Sequence, residues 1–152
     1  MAKKKKMTTK EAQEKIVANM RKWQKIEDAS VASTGQVIAQ TKNPVIRLVM
    51  EIIQSDSQLH YRIQELIADS LSKKAIAVSP EEIGKVWKLI EKHIALEKRT
   101  ITLAKSSLAA IEGKKGMLVQ AYLLEYLMKD EQKHDAVLEN LEAIKKGMYP
   151  YG

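Results

Sequence analysis

The 152-residue sequence has no cysteine and no phenylalanine, and aromatic residues make up only 5% of it. Without cysteine there are no disulfide staples, no thiol nucleophile, no iron–sulfur cluster and no cysteine-ligated zinc. A metal bound by this chain has to be held by histidine and carboxylate side chains. No apolar run approaches the roughly 20 residues that span a bilayer, and the N-terminus lacks the hydrophobic core of a signal peptide. The expectation is a soluble, cytoplasmic protein with no membrane partner.

What the chain does hold is 45% apolar and 30% charged residues, a globular balance rather than a disordered one. Its length suits one domain with a real core, and the dominance of Ala, Leu, Ile, Glu and Lys is that of a helical bundle. The net charge is +7, of which the run "MAKKKKM" contributes four lysines outside any periodic segment. This run is read as a solubilising terminus, with an arm for nucleic acid or an anionic surface as the alternative.

Local signals divide the rest. "TTKE" at 8–11 offers Thr8 as a helix cap with Glu11 closing a capping box. "NP" at 43–44 places a cap before a proline at the first helical position. "SPEE" at 79–82 carries both signals, and "EGKKG" and "GMYPYG" end helices with glycine and proline. No window alternates with the period of two that a strand needs. The pattern predicts four helices at about 8–41, 44–74, 80–112 and 117–146, between a basic tail (1–7) and a short C-terminal tail (149–152). Four such helices joined by short turns are expected to form one all-α antiparallel four-helix bundle over residues 8–148.

The second and fourth helices resemble each other. "EIIQSDSQLHYRIQELI" (51–67) aligns without gaps to "EYLMKDEQKHDAVLENL" (125–141), pairing Asp56 with Asp130 and His60 with His134. In addition, every helix interrupts its apolar stripe once. The first steps through Ile16, Met20, Trp23 and then Glu27. The second runs Val49, Ile53, Asp56, His60, Ile63 and Ile67, with Ser57 beside that line. The third runs Val86, Ile90, His93, Glu97, Thr100 and Ala104, and the fourth runs Leu124, Leu127, Glu131, His134 and Leu138. All three histidines of the protein fall in these breaks. Counted from the predicted turns, the breaks lie 14–18 residues from a helix end, so antiparallel packing sets them at one depth.

Carboxylates gathered in a core repel one another and are desolvated, and a bound cation relieves both costs. Ligands of oxygen and nitrogen without sulfur suit iron, manganese or zinc. A metal-free polar network that fixes helix register is the other reading of the same residues.

At this point the sequence resembles the ferritin-like di-metal carboxylate superfamily, in its rubrerythrin-type branch, including prokaryotic ferritin-like proteins that end in a similar "YPYG". The family pattern is one Glu on each of two helices and Glu-x-x-His on each of the other two. "DEQKH" at 130–134 fits it, with Glu131 and His134 as a ligand pair and Glu97 as the single Glu of the same half. The resemblance implies metal ligation by Glu27, His60, Glu97, Glu131 and His134, with His93 a further candidate ligand or a partner for a neighbouring carboxylate. It also implies that Asp130 and its counterpart Asp56 orient ligating histidines, each across the bundle. The first half departs from the pattern: Ser57 stands where a ligand Glu belongs, and Glu27 lies only 30 residues before Ser57 whereas Glu97 lies 34 before Glu131.

The activity implied by the resemblance is that of an iron or manganese oxidoreductase reacting with peroxide or dioxygen, with one or two ions per chain. An external electron donor would be needed, since no cysteine is present for a rubredoxin-type centre, and a homodimer is the expected assembly. The alternative, favoured by Ser57, is a non-catalytic metal-binding or sequestration bundle with a degenerate site. A nucleic-acid partner is disfavoured, because the DNA-binding mini-ferritins place their ligands between subunits, unlike the intra-bundle pattern here.

Overall fold

The structure is a computed structural model that describes residues 6–151. Lys3, Lys4 and Lys5 of the basic run lie outside the described residues. Four helices follow in order: α1 (Thr9–Gln40), α2 (Pro44–Ser72), α3 (Pro80–Ile111) and α4 (Leu118–Lys145). No strand occurs among the described residues, so the chain is all-α and of the four-helix class. No helix among them is long and apolar enough to cross a membrane.

The start signals act as their chemistry dictates. Thr8 Oγ1 accepts the Glu11 N–H while Glu11 Oε2 accepts the Thr8 N–H at 2.7 Å, a complete capping box. Ser79 and Glu82 make the same reciprocal pair at α3. Asn43 Oδ1 accepts from Val45 and Ile46 and opens α2, with Pro44 filling a position whose N–H needs no partner. Between α3 and α4 the chain turns through Gly113 and Gly116, at φ 69° and 75°, a left-handed backbone that glycine adopts without a Cβ clash.

The chain divides into two compact units, Met1–Ile76 and Ala77–Gly152. In the first, α1 packs on α2; in the second, α3 packs on α4. Both pairs are antiparallel hairpins. Along the first, Gln54 donates to the Val31 carbonyl, Gln24 to the Tyr61 carbonyl and Arg21 to Asp69, so partners diverge in sequence as they recede from the turn. In the second, Thr100 reaches Glu131 near mid-hairpin, and Lys145 lies over the Trp87 ring toward its open end.

The buried residues step by three, four and seven, or sums of these, along a narrow seam: Gln24, Glu27 and Thr34 on α1, Ser57, Gln64 and Ala68 on α2, and Ile83, Trp87, Glu97 and Ala104 on α3. That is the narrow stripe one helix hides against one neighbour. The sequence pattern places Ile16, Trp23, Ile53, Ile63, Val86 and Leu127 on inward stripes, but all six are exposed, Trp23 by 50%. The three-and-four pattern marks a face wider than one partner helix covers.

Candidate metal centre

The polar interruptions meet in pairs across each seam. In the second hairpin, Glu97 is 7% exposed. His134 Nδ1 lies 3.4 Å from Glu97 Oε2 and 3.7 Å from Glu131 Oε2. Ligand atoms from Glu97, Glu131 and His134 all fall within 4.8 Å of one another. A first-row ion about 2.1 Å from two ligands in tetrahedral geometry separates them by about 3.4 Å, which is the spacing of His134 Nδ1 and Glu97 Oε2.

Glu97 Oε2 is buried and has no hydrogen-bond partner. An orphaned carboxylate oxygen in such a place is costly, and two facing carboxylates have no donor between them unless one holds a proton. The space between the two carboxyl groups is where a cation would sit. The Glu97 carboxyl is held below the usual carboxylate value, first by hydrogen bonding with Glu131. The His134 charge and hydrogen bond and the His93 charge act the same way, against the opposing effect of burial. A site that favours the ionised carboxylate favours a metal ligand.

Each of the three side chains also has a polar neighbour outside the cluster. The Thr100 hydroxyl proton is shared between the Glu97 carbonyl at 2.7 Å and Glu131 Oε2 at 2.9 Å. Asp130 Oδ2 lies 3.5 Å from His134 Nε2, the ring nitrogen opposite the cluster, and Lys133 pairs with the other Asp130 oxygen. A carboxylate on the far nitrogen fixes a ligating imidazole's tautomer and orientation. Asp130 thus faces the histidine one turn along its own helix, whereas the resemblance implies a histidine across the bundle. His93 Nε2 lies 2.8 Å from Glu97 Oε1, the oxygen turned away from the orphan, and His93 is not among the three clustered ligands.

The first hairpin carries the same frame with different chemistry. His60 Nδ1 lies 3.4 Å from Glu27 Oε1, matching the spacing of His134 and Glu97. Ser30 and Ser57 hydroxyls pair at 2.8 Å where Thr100 and Glu131 pair in the second hairpin. Glu27 is therefore the register equivalent of Glu97, despite its shorter distance to α2. The four-residue difference is absorbed at the turn: three residues separate α1 from α2 and six separate α3 from α4, with one more helical residue on α3 after Glu97.

The donor set, however, is not a metal's. Ser57 supplies a hydroxyl in place of a carboxylate, and Gln64 Nε2 donates at 3.0 Å to the same Glu27 oxygen that faces His60. An amide N–H thereby serves Glu27 where a cation would. No hydrogen bond or ion pair joins Asp56 to a histidine among the described residues. Gln64, Ser30 and Thr100 are functional neighbours that stripe reading passed over as ligands. Carrying the repeat into α1 and α3, where residues 27 and 30 match 97 and 100, finds the last two, and Gln64 is signalled by an amide one turn beyond His60.

Glu27 and Glu97 are buried, Glu131 is partly exposed, and the imidazoles are half exposed, with side-chain exposures of 53% for His60 and 42% for His134. A comparison with protein-family models, curated proteins and solved structures found no match to this chain.

Proposed function

We propose that this chain is a ferritin-like metal-binding protein whose ion is held by Glu97, Glu131 and His134. The observation that carries this reading is the orphaned, buried Oε2 of Glu97, 3.4 Å from an imidazole nitrogen and beside a second carboxylate. Two carboxylates and one imidazole without sulfur suit iron, manganese or zinc. With iron or manganese bound, the ion would supply one-electron chemistry toward peroxide or dioxygen. The chain's own residues supply the rest: Thr100 and Asp130 hold two of the ligands, and burial of Glu97 keeps water from competing for it. Electrons would come from an external donor, since the chain has no cysteine to build an iron–sulfur relay.

A second reading, metal sequestration without turnover, is favoured by the first hairpin. There Ser57 and Gln64 replace a carboxylate and a cation, so a single ion would lack the second redox partner of a dinuclear centre.

The test is reconstitution of the full chain with Fe(II) under anaerobic conditions and, separately, with Mn(II) and Zn(II), followed by metal counting. One ion per chain is expected, strongly reduced in Glu131→Ala and in His134→Ala. Wild-type protein that retains no ion after any of these treatments overturns the metal reading. For the loaded iron protein, repeated turnover of peroxide with a reductant supports the oxidoreductase, and a single stoichiometric oxidation supports sequestration.

A further inference from the structure

His93 stands apart from the three clustered ligands yet touches one of them. Its Nε2 lies 2.8 Å from Glu97 Oε1, its side chain is 57% exposed, and it sits one helical turn before Glu97 on the same face of α3. The other carboxylate oxygen, Oε2, is the orphan that faces His134. We propose that His93 is a positioning residue: by holding Oε1 from the solvent side, it locks the Glu97 carboxylate with Oε2 turned into the metal site. This rests on the metal reading above.

Three observations point the same way. The terminal torsion of a glutamate is broad and has no strong preference of its own, so an unheld carboxylate samples orientations that take Oε2 out of the site. A partner on one oxygen removes that freedom before the ion arrives, and such outer partners typically contribute 10–100-fold in metal affinity. Second, each of the other two ligands also has a polar partner outside the cluster, Thr100 on Glu131 Oε2 and Asp130 on the far nitrogen of His134. Without His93, the Glu97 carboxylate would have no polar partner outside the cluster.

Third, the hairpin that lacks a metal-type donor set also lacks this contact. The position matching His93 in the first hairpin, four residues before Glu27, is Trp23, which is 50% exposed. There Glu27 is held from across the seam by Gln64 on the oxygen that faces His60. The two glutamates are therefore restrained on opposite oxygens: Glu97 on the outer one, which frees the inner, and Glu27 on the inner one, which fills it.

The experiment is a Co(II) titration of the full chain, read by visible absorption, for wild type, His93→Ala, His93→Gln and each change combined with Glu97→Gln. Helicity by circular dichroism is measured on every variant. For His93→Ala, we expect unchanged helicity, Co(II) affinity lowered about 10–100-fold and, at saturation, the wild-type spectrum, because the ligand set is intact. His93→Gln, whose amide N–H can reach the same oxygen, should recover most of the loss. In the Glu97→Gln background, His93→Ala should cost nothing further, since the two act as one unit.

Wild-type affinity in His93→Ala overturns the proposal while leaving the metal reading standing. A saturated spectrum with one nitrogen ligand fewer, unrescued by glutamine, also overturns it by making His93 a ligand. Wild-type protein that binds no Co(II) removes the metal reading and this proposal together.

Discussion

Ser57 and Glu131 occupy matching places in two hairpins that otherwise share a Glu–His pair at 3.4 Å, and that one difference divides their chemistry. A hydroxyl is a weak neutral ligand, and Gln64 completes the change by giving Glu27 an N–H donor in place of a cation. The change is reversible in principle. A cleft of about 270 Å³ lined by Glu27, Asp28, Val31, Ser57, Gln58 and Tyr61 leaves room for a longer side chain at Ser57. The double variant Ser57→Glu, Gln64→Leu, which copies Glu131 and Leu138, is expected to bind a second ion per chain. Ser57→Glu alone should gain less, because the Gln64 amide still occupies Glu27. Metal counting after Zn(II) reconstitution decides it, and a count unchanged in the double variant would show that the first hairpin is not a latent site.

At the scale of the helix, the sequence signals and the structure coincide where local chemistry is sufficient. Capping boxes at Thr8 and Ser79 and prolines at 44 and 80 start three of the helices, and every helix end lies within two residues of its expected place. Removing the α3 cap by Ser79→Ala should cost about 1 kcal/mol, measured by urea unfolding. The capping carboxylates add a pH dependence. Glu11 and Glu82 are held below the ordinary value of 4.5, each chiefly by the backbone N–H of its cap residue and next by the cap hydroxyl. Their contribution is therefore complete above about pH 4.5 and is lost as the pH falls through the lowered folded-state values. Helicity near pH 3 should fall less steeply in Glu11→Ala with Glu82→Ala than in wild type, since that double variant has no capping carboxylate left to protonate. The interruptions were legible at this scale too, because Glu27, His60, Glu97 and Glu131 break helical stripes at matched depths. The width of the buried face was not. Periodicity marks which side of a helix is apolar, and the number of neighbours sets how much of that side is covered.

Over the whole molecule, the proposed metal binding would be linked to folding. Glu97, Glu131 and His134 lie on two different helices, so an ion bound by all three holds α3 against α4 and has no equivalent site in the unfolded chain. At free ion about 100 times its dissociation constant, the native state gains about 2.7 kcal/mol. Addition of Zn(II) or Mn(II) should raise the unfolding temperature of wild type and leave Glu131→Ala nearly unchanged. An equal rise in both would place the ion elsewhere.

The sequence by itself determined the all-α class, the four helices and their ends, the absence of cysteine ligands, and which helices carry the histidines and carboxylates. These follow from interactions within a few residues: caps, periodicity and composition. Only the tertiary structure decided which oxygen of each glutamate is free. It set Gln64 on Glu27, turned Asp130 toward its own helix's His134, and left Glu97 Oε2 buried beside His134 without a hydrogen-bond partner. The physical reason is that a side chain's last torsion is settled by its neighbours across the seam, and the distance to those neighbours depends on the length of the intervening turn.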